Sequence, residues 1–234
     1  MSEAYVSTGY IKLNYEWDWA GAAAAFEKAL ALSPRLPEAH HAYGYYLYIM
    51  HRPNEALAEM QRAWELDPLS PFFVSEVGNA YRWTGDSNHA IEWHQRALQL
   101  DPQFFSAYSD LAYTLLDLGR PDLAIGELEK GIALSNGDQT AVDPLDLAIV
   151  LARAGRTDRA RRVLAERRSK SMHLTQVAAA QANLGLLNEA FESLEIAMRQ
   201  RDSALIFLLV NRSFAPLWKD PRCADLARRI GLPS

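Results

Sequence analysis

The chain has 234 residues, of which 49% are hydrophobic and 23% are charged, and this globular composition argues against a disordered protein. Its single cysteine, Cys223, excludes an internal disulfide and a cysteine-based zinc cluster, and no apolar run approaches the ~18 residues of a membrane span. The net charge of −5 is unevenly divided, because residues 1–150 hold 9 Lys and Arg against 21 Asp and Glu, whereas residues 151–234 hold 15 against 8.

These bulk properties set expectations for location and partners. No charged leader with an apolar core opens the chain, so we expect a soluble, cytoplasmic protein without a membrane partner. The uneven charge has two interpretations: the protein has differently charged solvated faces, or the charge steers a partner or supports end-to-end self-association.

The first two helices are predicted from local signals. Residues 4–15 are predicted to form a helix, although Gly9 lowers its intrinsic propensity. Asp18 is placed to cap the second helix. Trp17 and Trp19 are predicted to pack at the start of the chain.

A repeated nine-residue phrase then dominates the sequence. FEKALALSP, MQRAWELDP and HQRALQLDP end at Pro34, Pro68 and Pro102, which are 34 residues apart. An alanine lies twelve residues before each proline, and the series continues with Ala124 and with Asn136 in the proline's place. Self-similarity at this period is typical of helical repeat arrays.

Small residues mark the helix contacts and helix ends within these repeats. Gly44, Gly78 and Ala112 are predicted to lie where paired helices touch. Gly85 and Gly119 are predicted to end first helices in the left-handed conformation, and each proline ends a second helix.

The period changes after residue 136. Gly119 and Gly155 are 36 residues apart and Gly155 and Gly185 only 30, which predicts a longer joint at residues 136–143 and an altered curvature. Two weaker repeats nevertheless follow, and the non-repeating tail from Ser203 is predicted to cap the last one.

The 34-residue period and its landmarks resemble the tetratricopeptide repeat family. Residues 71–102, for example, match its pattern at Val74, Val77, Gly78, Tyr81, Ala90, His94 and Pro102. The resemblance implies an all-α protein, a right-handed α-solenoid of six antiparallel helix pairs with a C-terminal capping helix. We place the repeats near residues 3–36, 37–70, 71–104, 105–138, 141–170 and 171–202, and the cap at residues 203–234. The opening EWDWAGAAAAF and the tail NRSFAPLWKDPRCADLARRIGLP also resemble a subgroup of such modules in bacterial signalling proteins.

No residue pattern points to catalysis. The histidines form no HExxH motif and no glycine-rich phosphate loop occurs, so we predict neither an enzyme nor a metal or other cofactor. His94 occupies a packing position of its repeat, and Cys223 is interpreted as a small core residue.

The resemblance implies instead that the first helix of each pair lines a concave groove that binds a protein or peptide segment. The predicted groove residues are His41, Tyr45, Tyr48, Phe72, Ser75, Asn79, Arg82, Ser109, Tyr113 and Asp117. The alternative is that the tyrosines only cover neighbouring helices. Family members that hold chaperone C-termini use paired lysines and asparagines, which are missing from the equivalent positions here, so an internal or helical segment is the expected ligand.

The basic stretch and the groove each allow a further interpretation. The arginines between Arg153 and Lys170 lack interleaved aromatics, so we predict a solvated convex face, with an acidic protein surface as the next alternative and no nucleic acid partner. A sensory or regulatory domain that binds a small molecule or peptide is the alternative to a non-catalytic interaction module.

Overall fold

The structure is a computed structural model that describes residues 1–135, 142–167 and 173–233. In these ranges the chain forms thirteen α-helices and no strand. Their bounds are α1 Ser2–Ile11, α2 Trp19–Leu32, α3 Pro37–Ile49, α4 Pro53–Leu66, α5 Pro71–Thr84, α6 Ser87–Leu100, α7 Ser106–Asp117, α8 Pro121–Leu134, α9 Pro144–Arg153, α10 Thr157–Arg167, α11 Leu174–Asn183, α12 Leu187–Arg199 and α13 Pro221–Arg229. Most of the predicted joint at residues 136–143 lies outside the described residues.

Helices α1 to α12 form the six predicted pairs of an all-helical solenoid, in which each helix packs on its partner and each odd-numbered helix also contacts the next odd-numbered one. The predicted end signals are present. Asp18 accepts a hydrogen bond from the amide of Gly21 at 2.9 Å, which caps α2. Gly85 follows α5 with φ = +92°, a conformation that glycine adopts without a Cβ penalty.

Close helix contacts depend on the small residues. A Cβ atom added to Gly78 would lie 2.6 Å from the His94 ring, and one added to Gly44 would lie 3.0 Å from Met60. Gly9 is one residue out of register with these glycines but makes an equivalent contact, because its added Cβ would lie 2.3 Å from the Phe26 ring. The residue that lowers the propensity of α1 is therefore the one that lets α2 approach it.

The first repeat of the solenoid packs against the last repeat and the tail. Buried residues of the first and last repeats, such as Phe26 and Leu194, belong to one hydrophobic cluster. The indole N–H of Trp19 donates a hydrogen bond to the carbonyl of Ile230 at 3.1 Å. The predicted packing role of Trp19 thus extends to the end of the chain.

The tail does more than cover the last repeat. It forms two short 3₁₀ turns, Ser203–Phe207 and Arg212–Leu217, before α13. The Tyr48 hydroxyl of α3 donates a hydrogen bond at 2.8 Å to the carbonyl of Val210, between these turns. Residues 207–212 therefore lie against the concave face, which they partly fill.

No helix in the described residues has the length and apolar character needed to cross a membrane.

Candidate functional site

A cavity of about 440 Å³ lies in the concave face, between the inner helices α3, α5 and α7 and residues 207–212 of the tail. Six of the ten predicted groove residues line it: Tyr45, Tyr48, Asn79, Arg82, Tyr113 and Asp117. Among the other lining residues are Trp83, Asp110, Phe207 and Arg212, none of which was predicted. The inner helices therefore bring much of the predicted surface together, with one wall supplied by the tail.

The four other predicted residues lie outside this cavity. His41 lines a second cavity of about 230 Å³ beyond Phe207. The ring of Phe72, which is 39% exposed, lies 4.8 Å from that of His41. Ser109 lies on α7 immediately before Asp110 and is half-buried.

The prediction that Ser75 is an exposed groove residue needs correction. Ser75 is only 1% exposed, and its hydroxyl lies 3.1 Å from a ring nitrogen of His94 and donates to the carboxylate of Asp110 at 3.1 Å. Packing of α5 on α6 turns this side chain beneath the surface, where it positions Asp110.

Aromatic side chains form one wall of the cavity. Tyr48 and Trp83 stack with their ring centroids 4.0 Å apart and an interplanar angle of 7°. Tyr45 makes edge-to-face contacts with Trp83 and with Phe207, at 5.4 and 5.7 Å. Such packing fixes the rings in place, so the wall is preorganised for apolar or cationic groups.

One end of the cavity is basic. The carboxylate of Asp117 accepts hydrogen bonds from Arg82 at 2.7 Å and from Arg153 at 3.0 Å, and Arg212 of the tail lies 3.6 Å away. Burial alone would raise the pKa of Asp117, but Arg82 and Arg153 hold it below its usual value. Three guanidinium groups thus surround one carboxylate.

This contact corrects the prediction for the basic stretch from Arg153. Arg153 lies at the end of an inner helix and points to Asp117, so it is not part of a solvated convex face. Arg156 and Arg159 behave as predicted, because they form exposed ion pairs with Asp122 and Glu129 of the preceding repeat. The last residues of the predicted stretch, Arg168 and Lys170, lie outside the described residues.

The opposite end is acidic. The carboxyl of Asp110 lines the cavity, and burial, together with the neighbouring charge of Glu76, raises its pKa to about 7. The side-chain amide of Asn79 donates to Glu76 at 3.2 Å. Burial also raises the pKa of Asp146 to about 6, although the Tyr113 hydroxyl donates a hydrogen bond to it at 2.8 Å, which by itself lowers the pKa.

Within the described ranges, no group of three or more His, Cys, Asp or Glu side chains is arranged to hold a metal ion.

Comparisons with known proteins support the repeat class. Residues 78–119 match the family model described as TPR repeat, the tetratricopeptide repeat. A thermophilic TPR protein from Thermus thermophilus superimposes with a TM-score of 0.66 at 19% identity, covering 79% of this chain and 99% of that one. The chain has the tetratricopeptide-repeat fold. PilF from Pseudomonas aeruginosa shares the fold, with a TM-score of 0.59 at 18% identity and coverage of 92% and 95% of the two chains.

A curated relative also carries this repeat in its name. The small glutamine-rich tetratricopeptide repeat-containing protein 2 of Mycosarcoma maydis is 31% identical over 84 residues, which are 36% of this chain and 24% of the relative. The chain spans about a quarter or less of the length of the curated relatives it matches. Tetratricopeptide repeats typically form non-catalytic scaffolds that bind protein or peptide partners.

Proposed function

We propose that this tetratricopeptide-repeat chain is a non-catalytic interaction module that binds a segment of a partner protein in the cavity of its concave face. The observation that supports this most is the course of the chain's own tail. Residues 207–212 lie against the same face through an aromatic contact at Tyr45 and a tyrosine hydrogen bond to a backbone carbonyl. A surface that holds one polypeptide segment in this way has the chemistry to hold a second one beside it.

The composition of the cavity fits a recognition site. Tyr, Trp and Arg dominate the residues whose truncation weakens protein interfaces most, because they combine large contact area with directional hydrogen bonds. Tyr45, Tyr48, Trp83 and Arg82 supply all three types within one cavity. Their mutual packing also lowers the entropy that a partner must remove on binding.

Selection of peptides from a displayed random library tests the proposal. The affinity of the selected peptides is then measured by calorimetry for the native chain, for Tyr48→Ala and for Tyr43→Ala. Tyr43 is the matched control, because it lies on the same helix but its hydroxyl lies 3.4 Å from Glu27 of α2, away from the cavity. Removing Tyr48 takes away one wall, so we expect binding to weaken by about tenfold or more, and Tyr43→Ala to bind as the native chain does.

Folding of both variants is checked by circular dichroism before their affinities are compared. Peptides that bind the native chain and Tyr48→Ala equally would place the site elsewhere on the molecule. Loss of affinity in both variants would indicate a general effect on α3 rather than recognition at the cavity.

A second candidate is a sensory or regulatory domain of a bacterial signalling protein. The volume of about 440 Å³ favours it, because it falls in the range of small-molecule sites. A ligand at ten times its Kd raises the free energy of unfolding by about 1.4 kcal/mol, so a thermal-shift screen with small molecules tests this candidate. Stabilisation by peptides alone would favour the interaction module.

Self-association and a cytoplasmic location stay predictions. Analytical sedimentation tests self-association.

A further inference from the structure

Asp110 is an ionisable side chain to which the proposed interaction surface assigns no role. Its carboxyl lines the cavity but has no lysine or arginine partner in an ion pair among the described residues. The nearest candidate on α5, Arg82, is held by Asp117 at 2.7 Å. A partly buried carboxylate without a counter-ion is unfavourable, and this one lies where a ligand has access.

The groups that face Asp110 hold the carboxylate in place without neutralising it. The Ser75 hydroxyl donates to it at 3.1 Å, and Asn79, whose amide donates to Glu76, lines the cavity with it. Glu76 adds a second negative charge nearby, and a ring nitrogen of His41 lies 3.4 Å from the Glu76 carboxylate. This end of the cavity therefore carries more negative than positive charge.

An aromatic side chain accompanies Asp110 at this end of the cavity. Tyr45, whose ring makes an edge-to-face contact with Trp83, has Asp110 and Glu76 as its charged neighbours, and aromatic rings attract ammonium and guanidinium groups through their quadrupoles. The opposite end, with three arginines around Asp117, repels cations. A positively charged group in the cavity is therefore directed to the Asp110 end.

We propose that this cavity receives one ammonium or guanidinium group, which pairs with Asp110 beside the aromatic ring of Tyr45. The cationic group is the side chain of a lysine or arginine in the bound partner segment. For this source, the inference rests on the proposed function. A free amine of similar size has the same chemistry and is the second source.

Capped peptide pools with a fixed central residue test the proposal. The centre is lysine, arginine, norleucine or glutamate, and the flanking positions are randomised. Binding is measured with the native chain, with Asp110→Asn and with Asp122→Asn, a control that removes an exposed acid of the convex face with 78% side-chain exposure. We expect the lysine and arginine pools to bind the native chain roughly tenfold more tightly than norleucine. The preference should disappear in Asp110→Asn and persist in Asp122→Asn.

A second readout needs no variant. The preference for lysine over norleucine should grow from pH 5 to pH 8 in the native chain, because Asp110 ionises while the lysine ammonium stays charged. A preference that does not change with pH would contradict pairing with Asp110. This readout keeps the proposal testable even if Asp110→Asn folds poorly.

Titration with n-butylammonium and n-butylguanidinium, followed by NMR, separates the two sources. Shifts that depend on Asp110, together with no binding of any peptide pool, would support the cation site with a free amine and overturn the partner-segment function. Peptide pools that bind regardless of their central residue would overturn the cation site and leave that function standing. Absence of binding in every arm would overturn both.

Discussion

Replacement of Asp110 by asparagine should change how the stability of the protein depends on pH. Asparagine has nearly the same shape and can still interact with Ser75, but it does not ionise. In the native chain, burial and then the charge of Glu76 raise the pKa of Asp110 from 3.8 to about 7. The folded protein therefore holds this proton to a higher pH than the unfolded chain does.

The size of the effect follows from this difference. Stability contributed by the protonated group is fully present below the unfolded pKa of 3.8 and is lost as pH rises through the folded pKa of about 7. About three pKa units at 1.36 kcal/mol each give a total of roughly 4 kcal/mol. The part that falls between pH 5 and pH 8 is roughly 2 to 3 kcal/mol. These values are upper limits, because the Asp110 side chain is only partly buried and solvent screens its charge.

Urea unfolding at pH 5 and pH 8 measures this difference. We compare the native chain, Asp110→Asn and the surface control Asp122→Asn. The stability advantage of Asp110→Asn over the native chain should be larger at pH 8 than at pH 5 by up to roughly 2 to 3 kcal/mol. Asp122→Asn should differ little from the native chain at either pH. An advantage of Asp110→Asn that is the same at both pH values would refute the reasoning.

Three further substitutions or reactions test the packing. Gly78→Ala should lower the free energy of unfolding, measured with urea, by roughly 1 to 3 kcal/mol, because the methyl group meets the buried ring of His94. Gly126→Ala is the control, because Gly126 has open space around it, and it should be neutral or stabilising. Equal effects of the two substitutions would contradict the contact. Trp19→Phe should lower the free energy of unfolding by about 1 kcal/mol, because it removes the hydrogen bond to the carbonyl of Ile230. An unchanged urea midpoint would argue against this contact between the two ends of the solenoid. Cys223, which is 1% exposed and whose pKa burial raises to about 11, should react with iodoacetamide at neutral pH only as fast as the protein unfolds; rapid labelling of the folded chain would contradict its burial.

The fold could be predicted because the same local sequence signals occur in successive repeats. Up to residue 136, prolines, small contact residues and terminal glycines recur at fixed spacing, and each acts on its own helix end or on the partner helix that follows in sequence. Gly9 shows where single-helix reasoning fails. Considered within its own helix it is only a poor helix former, but the close approach of Phe26 from the next helix explains its presence.

The candidate site could be predicted only in part. The inner-helix positions were identified because the repeat period transfers from one helix to the next, and Asp110 and Trp83 were missed although they share helix faces with predicted residues. Asp110 precedes Tyr113 and Asp117 by three and seven residues, and this spacing was a usable signal. No comparable signal exists for the tail, since Tyr48 and Val210 are 162 residues apart in sequence and no period relates them.

Hydrogen exchange of the chain, with and without a selected peptide, tests the central claim most directly. Binding in the concave cavity predicts slower exchange of backbone amides in α3, α5, α7 and residues 207–212, with little change in the even-numbered helices. Slower exchange confined to the even-numbered helices would contradict the claim and place the partner on the convex face.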